Sequence, residues 1–127
     1  MNILVVEDDS HVASYLTQLL SKWGHRIEIA KTGKEALSKA GQNKFPLVLL
    51  DIFLPDIEGY NLIPELKEIL PEVNIVTMTG HNTRELETKV RTKGIAYYLI
   101  KPLELDHLKI IVEHISNINT RELGGQP

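Results

Sequence analysis

Apolar and polar positions follow two rhythms along this chain of 127 residues, and the pattern switches between them repeatedly. Ile3-Leu4-Val5-Val6 and Leu47-Val48-Leu49-Leu50 are short uninterrupted apolar runs, as expected of strands covered on both faces. Between them the spacing lengthens to that of a helix. Val12, Ala13, Leu16, Leu19, Leu20 and Trp23 fall on one side, with Ser10 as the expected cap and Gly24 as the stop. Arg26-Ile27-Glu28-Ile29 alternates polar and apolar, the pattern of an edge strand. Thr32-Gly33-Lys34-Glu35 reads as a capping box that opens a second helix through Ala36, Leu37 and Ala40.

After Asp51 a loop with Pro55 and Gly59 leads to a helix predicted over 60–70. Pro64 is tolerable there only in the first turn, where a missing N–H costs nothing. Residues 73–78 read as a fourth strand and 82–93 as a helix stopped by Gly94. A fifth strand is predicted over 96–100 and a last amphipathic helix over 105–118. Five strands alternating with five helices predict an α/β fold, a parallel sheet with helices on both faces. The domain spans residues 1–119 on this reading, and 120–127 is a polar tail or the start of a linker.

Composition narrows the picture mainly by exclusion. The chain has no cysteine, so disulfides and thiolate metal sites are ruled out. With no signal-peptide pattern, the simplest expected location is the cytoplasm. No apolar run reaches the ~18 residues of a membrane span, so no membrane partner is expected. A formal charge of −3 weighs against direct nucleic-acid binding by this domain. The histidines (His11, His25, His81, His107 and His114) show no metal-ligand spacing.

The candidate chemistry lies at strand ends. Asp51 closes the most apolar strand, Glu7-Asp8-Asp9 follows the first, and Lys101-Pro102 follows the fifth. In an open parallel sheet that edge is where ligands bind. Each residue also has a structural reading. Glu7 and Asp8 are acids ahead of a helix, where its dipole favours them. Thr79 suits a turn or cap, and Lys101 a solvated surface. Asp51 is harder to explain that way, because a spare carboxylate ending so apolar a strand is costly. Three convergent carboxylates repel by roughly 4 kcal/mol per pair at about 4 Å, which a hard divalent cation offsets.

Glu7-Asp8, Asp51, Thr79 and Lys101-Pro102, in this order, resemble the phosphoacceptor receiver domains of two-component response regulators. The resemblance covers residues 1–119. It implies a doubly wound, flavodoxin-like sheet in the order 2-1-3-4-5, with strands one and three adjacent at the switch point. It implies Mg²⁺ held by Asp8, Asp51 and the Phe53 backbone carbonyl, with Glu7 reaching it through water. Asp51 is then the phosphoacceptor, while Thr79 and Lys101 hold the phosphoryl oxygens and Pro102 is structural. Tyr98, on the opposite face of its strand from Tyr97, matches the switch aromatic. The implied donor is a sensor histidine kinase or phosphotransfer protein. The implied output is the face of the fourth helix, fifth strand and fifth helix, through a homodimer or a docked partner. Such a domain promotes only its own phosphorylation and dephosphorylation and is not otherwise an enzyme.

Departures from the family pattern are Phe53, bulky and apolar where many relatives are polar, Gly80 beside Thr79, and His81. Three other functions compete with this reading. A haloacid-dehalogenase-type Mg²⁺-dependent phosphatase places a second Asp two residues after the nucleophile, where this chain has Phe53. A flavodoxin-like cofactor binder needs a phosphate-cradling loop after the first strand, where Glu7-Asp8-Asp9 would repel phosphate. An interaction module acting without phosphorylation remains as the alternative. A strand directly after Met1 suits the native start of a regulator, and Gly124-Gly125 fits either a free-standing regulator or one with an output domain.

Overall fold

The computed structural model describes residues 1–122. Its elements alternate throughout: β1 (Asn2–Val6), α1 (Ser10–Lys22), β2 (Arg26–Ala30), α2 (Gly33–Gln42), β3 (Leu47–Asp51), α3 (Gly59–Ile69), β4 (Asn74–Thr79), α4 (Arg84–Arg91), β5 (Tyr97–Ile100) and α5 (Leu105–Glu122). The strands form one parallel sheet in the order β2-β1-β3-β4-β5. Both faces are covered, and side-chain alternation divides the core in two. Leu4, Val6, Val48, Leu50 and Ile75 pack with Ala36, Leu62, Leu66 and Val90 of α2, α3 and α4. Ile3, Val5, Leu47, Leu49, Val76 and Met78 pack with Leu16 and Leu20 of α1 and with Leu108, Ile111, Val112 and Ile115 of α5. This two-sided burial is why β1 and β3 read as continuous apolar runs.

Helix ends differ in detail from the sequence pattern. Asp9, not Ser10, caps α1, its carboxylate accepting from the N–H groups of His11 and Val12. Gly24 ends that helix with φ +93°, a backbone that other residues adopt with strain. Thr32 caps α2 as expected, but Glu35 reaches back to the Lys31 N–H, one residue before the cap. Asp56 supplies further acceptors from the loop after β3, taking the N–H groups of Gly33 and Lys34 at 2.8 and 3.0 Å. Its carboxyl sits below the ordinary range because of those two hydrogen bonds.

Pro64 lies in the second turn of α3, not the first, so the helix loses an internal hydrogen bond there. Thr83 takes the cap of α4, and the helix therefore starts at Arg84 instead of Asn82. Leu105 and Ile110 of α5 are exposed, although Leu105 falls at the helical spacing of the buried Leu108, Ile111, Val112 and Ile115. The helix also continues beyond Ile118, through Thr120 to Glu122. The remaining tail positions, 123–127, lie outside the described residues.

One glycine is fixed by close approach. The Gly59 N–H donates to the Ile52 carbonyl at 2.6 Å, closing the loop after β3. A Cβ at Gly59 would lie 2.8 Å from the Ile52 Cα, whereas one at Gly41 in α2 would meet nothing within 4 Å. Gly59→Ala should therefore destabilise the domain by roughly 1–3 kcal/mol through backbone displacement. Gly41→Ala should stabilise it by about 0.5 kcal/mol by removing a glycine from the last turn of the helix. Urea unfolding of both variants checks this pair, and effects of the same sign would contradict it.

Candidate functional site

Parallel register brings the strand ends to one level. Val6 pairs with Leu50, so Glu7 and Asp51 each sit one step further along adjacent strands. Backbone bonds then stitch the row together. Glu7 N–H donates to the Ala30 carbonyl at 2.9 Å, Ile52 to Met78 at 3.0 Å, and Lys101 to Thr79 at 2.8 Å. The charged side chains fill the crevice so formed. Carboxylate oxygens of Glu7, Asp8 and Asp51 lie within 4.8 Å of one another. Glu7 and Asp51 are buried, while Asp8 opens to solvent.

Lys101 reaches into this group. Its Nζ lies 2.6 Å from Glu7 Oε1 and 3.3 Å from Asp51 Oδ2. The other oxygens are tied to backbone, Glu7 Oε2 accepting from Asp9 N–H and Asp51 Oδ1 from Phe53 N–H. Burial raises the Glu7 carboxyl from 4.5 to about 7, with Asp51 adding to the rise and Lys101 opposing it. For Lys101, burial pulls downward, but the Glu7 hydrogen bond and the charges of both acids outweigh it and the group is raised. The two shifts differ in origin: burial leads the rise at Glu7, whereas the neighbouring acids produce the rise at Lys101.

Thr79 is fully buried at the end of β4, and its hydroxyl accepts the His81 N–H at 3.0 Å. Among the described residues no hydrogen bond joins that hydroxyl to the side chain of Asp51 or Lys101. Phe53 is exposed at the mouth of the crevice, with its ring edge-to-face on His81 at 5.5 Å between centroids. Nothing crowds the Cβ direction of Gly80. Tyr98 is half-buried on the α4 side of β5, and its hydroxyl donates to Asn82 Oδ1 at 2.8 Å. The Lys101–Pro102 peptide is cis.

The sequence anticipated the convergence of Glu7, Asp8, Asp51 and Lys101, but not which acid Lys101 would prefer. It also missed Asp56 and Asn82, whose partners lie 23 and 16 positions away. No local spacing marks such contacts. The donor set fits a hard divalent cation: oxygen ligands only, with three carboxylates balanced by a single ammonium. A separate hollow of about 530 Å³, lined by Phe45, Leu70 and Val73 among others, lies at the opposite end of the sheet and contains none of these acids.

The family model for the response regulator receiver domain matches residues 3–113. The chain belongs to this family. It is 33% identical over 113 residues to the transcriptional regulatory protein ZraR of Escherichia coli strain K12, covering 89% of this chain and 26% of that protein. This receiver thus spans about a quarter of the length of that relative. A response regulator from Burkholderia pseudomallei, solved with a phosphorylated aspartic acid, a calcium ion and citrate, superposes with a TM-score of 0.82. It is 27% identical, covering 99% of this chain and 75% of that one. The beryllofluoride-activated NtrC4 receiver domain dimer gives a TM-score of 0.84 at 32% identity, covering 90% and 94%. Receiver domains of two-component systems pair with histidine kinases and are typically phosphorylation-activated switches, phosphoacceptors and not enzymes in the usual sense. No helix among the described residues of this receiver is long and apolar enough to cross a membrane.

The raised Glu7 carboxyl has a consequence for stability. Because the folded state holds the proton more tightly, Glu7 contributes stability fully below pH 4.5 and loses it as pH rises through about 7. Glu7→Gln cannot titrate. In chelator, its stability relative to the parent should therefore increase as pH rises through that window, as read by urea midpoints. A difference independent of pH would show that Glu7 is not desolvated as described.

Proposed function

We propose that this receiver takes a phosphoryl group onto Asp51 from the phosphohistidine of a sensor kinase or phosphotransfer protein. The observation that carries the reading is the buried Asp51 carboxylate packed against two further acids with the Lys101 ammonium at 3.3 Å. An Asp51 oxygen attacks phosphorus, forming the P–O bond as the P–N bond breaks, and the imidazole retains the electron pair of that bond. When bound, Mg²⁺ would supply charge neutralisation; Asp8, Asp51 and the Phe53 carbonyl would hold it, with Glu7 reaching it through water. With the cation and Lys101 included, the formal charges of the three carboxylates cancel.

Lys101 has two successive partners in this account. Before transfer it is committed to Glu7, and afterwards the phosphoryl oxygens compete for it. Thr79 moves its hydroxyl toward the same oxygens, and Tyr98 follows. Output runs through α4, β5 and α5, where Ile100, Leu105 and Ile110 are exposed apolar side chains on a surface suited to a dimer or docked partner. The helix that has to move is weakly anchored. Val90 is the one fully buried residue of α4, whereas α5 buries Leu108, Ile111, Val112 and Ile115.

Incubation with acetyl phosphate and Mg²⁺ should add one phosphoryl group by intact mass, and Asp51→Asn should abolish it. Full labelling of that variant would sink the assignment. Lys101→Ala should still bind Mg²⁺, more tightly with one cation fewer nearby, yet fail to switch. Activation equal to the parent's would remove the lysine from the mechanism.

Phosphoryl lifetime provides a further check. An apolar ring at position 53 can neither orient nor donate to an attacking water, and here it closes against His81. Phe53→Asn should accelerate loss of the phosphoryl group, measured by mass after removal of the donor. Equal or slower decay would contradict the shielding role.

A further inference from the structure

Thr79 has one hydroxyl hydrogen and two lone pairs. A lone pair already holds the His81 N–H at 3.0 Å, so the hydrogen is available to a phosphoryl oxygen without that bond breaking. Any shift of the Thr79 side chain toward Asp51 therefore carries the loop at 80–82 with it. Gly80 has no atom within 4 Å of its Cβ direction and leaves that loop room to pivot. The next link is a side chain. Asn82 Oδ1 accepts from the Tyr98 hydroxyl at 2.8 Å. The Tyr98 ring in turn lies under the Arg91 guanidinium, 5.5 Å from its centroid, and Arg91 is held by Glu87 at 2.8 Å. Tyr98 is thus attached to the entrance of α4 through Asn82 and to its last turn through Arg91.

We propose that Asn82 is a positioning residue, whose side chain relays displacement of Thr79 to Tyr98 and so to α4. This rests on Asp51 being the acceptor. Among the described residues the Asn82 side chain makes no hydrogen bond to Glu7, Asp8 or Asp51. Its backbone moves with Thr79 through His81, and its carboxamide oxygen hands that movement to β5. Without the carboxamide, the loop and Tyr98 are joined only through packing. The pocket can then still be modified, but α4 responds less.

The test compares parent, Asn82→Ala, Asn82→Asp, Tyr98→Phe and the Asn82→Ala/Tyr98→Phe double variant. Intact mass after acetyl phosphate and Mg²⁺ reports uptake, and hydrogen exchange of α4 amides with and without beryllofluoride reports the response. All should take up the group. The beryllofluoride-induced change in α4 exchange should fall about fivefold in Asn82→Ala and in Tyr98→Phe, the equilibrium worth of one hydrogen bond. The double variant should lose no more than either single one, since both remove the same contact. Asn82→Asp keeps an acceptor oxygen and should keep the parent's response, which a general loss of loop stability would not restore. Failure of uptake in the parent would overturn the acceptor assignment and this relay with it. Normal uptake with an undiminished α4 response in Asn82→Ala, or additive losses in the double variant, would overturn the relay alone.

Discussion

The crowding of like charge around Asp51 is the constraint on which the rest of the molecule depends. A parallel sheet aligns the carboxyl ends of its strands, and this sequence places acids at two adjacent ends. The result is three carboxylates within 4.8 Å and one ammonium among them. Such a cluster is unfavourable by itself, and burial, with Asp51 adding to it, raises the Glu7 carboxyl. It persists because β1 and β3 are buried on both faces by unrelated apolar packing that fixes their register. Stability from the core thus holds in place an arrangement that the pocket alone would disperse, and a cation or a second basic group is the natural remedy.

The same arrangement explains why Lys101 is well suited to a switch. Its ammonium lies closer to Glu7 than to Asp51, and on the proposed mechanism new negative charge on Asp51 would draw it away from Glu7. Elsewhere the domain divides into firm and yielding parts. The α1 and α5 side is closed by long apolar side chains at helical spacing. On the other face α4 is short, highly charged and attached through Val90, through Tyr98 and through Lys89, whose ammonium sits over the Tyr60 ring at 4.2 Å. Movement confined to the yielding side leaves the sheet, and therefore the pocket, intact.

Much of this was legible in the chain because burial leaves a periodic record. The apolar runs of β1 and β3 and the buried stripe Leu108, Ile111, Val112 and Ile115 of α5 follow from which faces are covered. Strand β2 lies at the sheet edge as its mixed pattern implied, although Ile27, Glu28 and Ile29 are all half-buried. Strand order and the convergence of Glu7, Asp8, Asp51 and Lys101 followed from resemblance, since periodicity alone does not order strands. What escaped were choices between near-equivalent local partners. Asp9 and Ser10 both suit a cap, and Thr83 shortened a helix that Asn82 also allowed. Leu105 fits the stripe of α5 by spacing, but it sits at the first residue of the helix and stays exposed. Pairings such as Asp56 with the start of α2, Asn82 with Tyr98 and Glu7 with Lys101 join distant segments and leave no periodic mark.

The central claim is that Asp51, of all the acids in the crevice, carries the phosphoryl group. Borohydride reduction of the phosphorylated domain converts an aspartyl phosphate to homoserine, and peptide mass mapping then locates it. The account predicts homoserine at position 51 alone, formed only when Mg²⁺ was present during labelling. Homoserine at position 8 or 9, or labelling that proceeds equally in chelator, would contradict it.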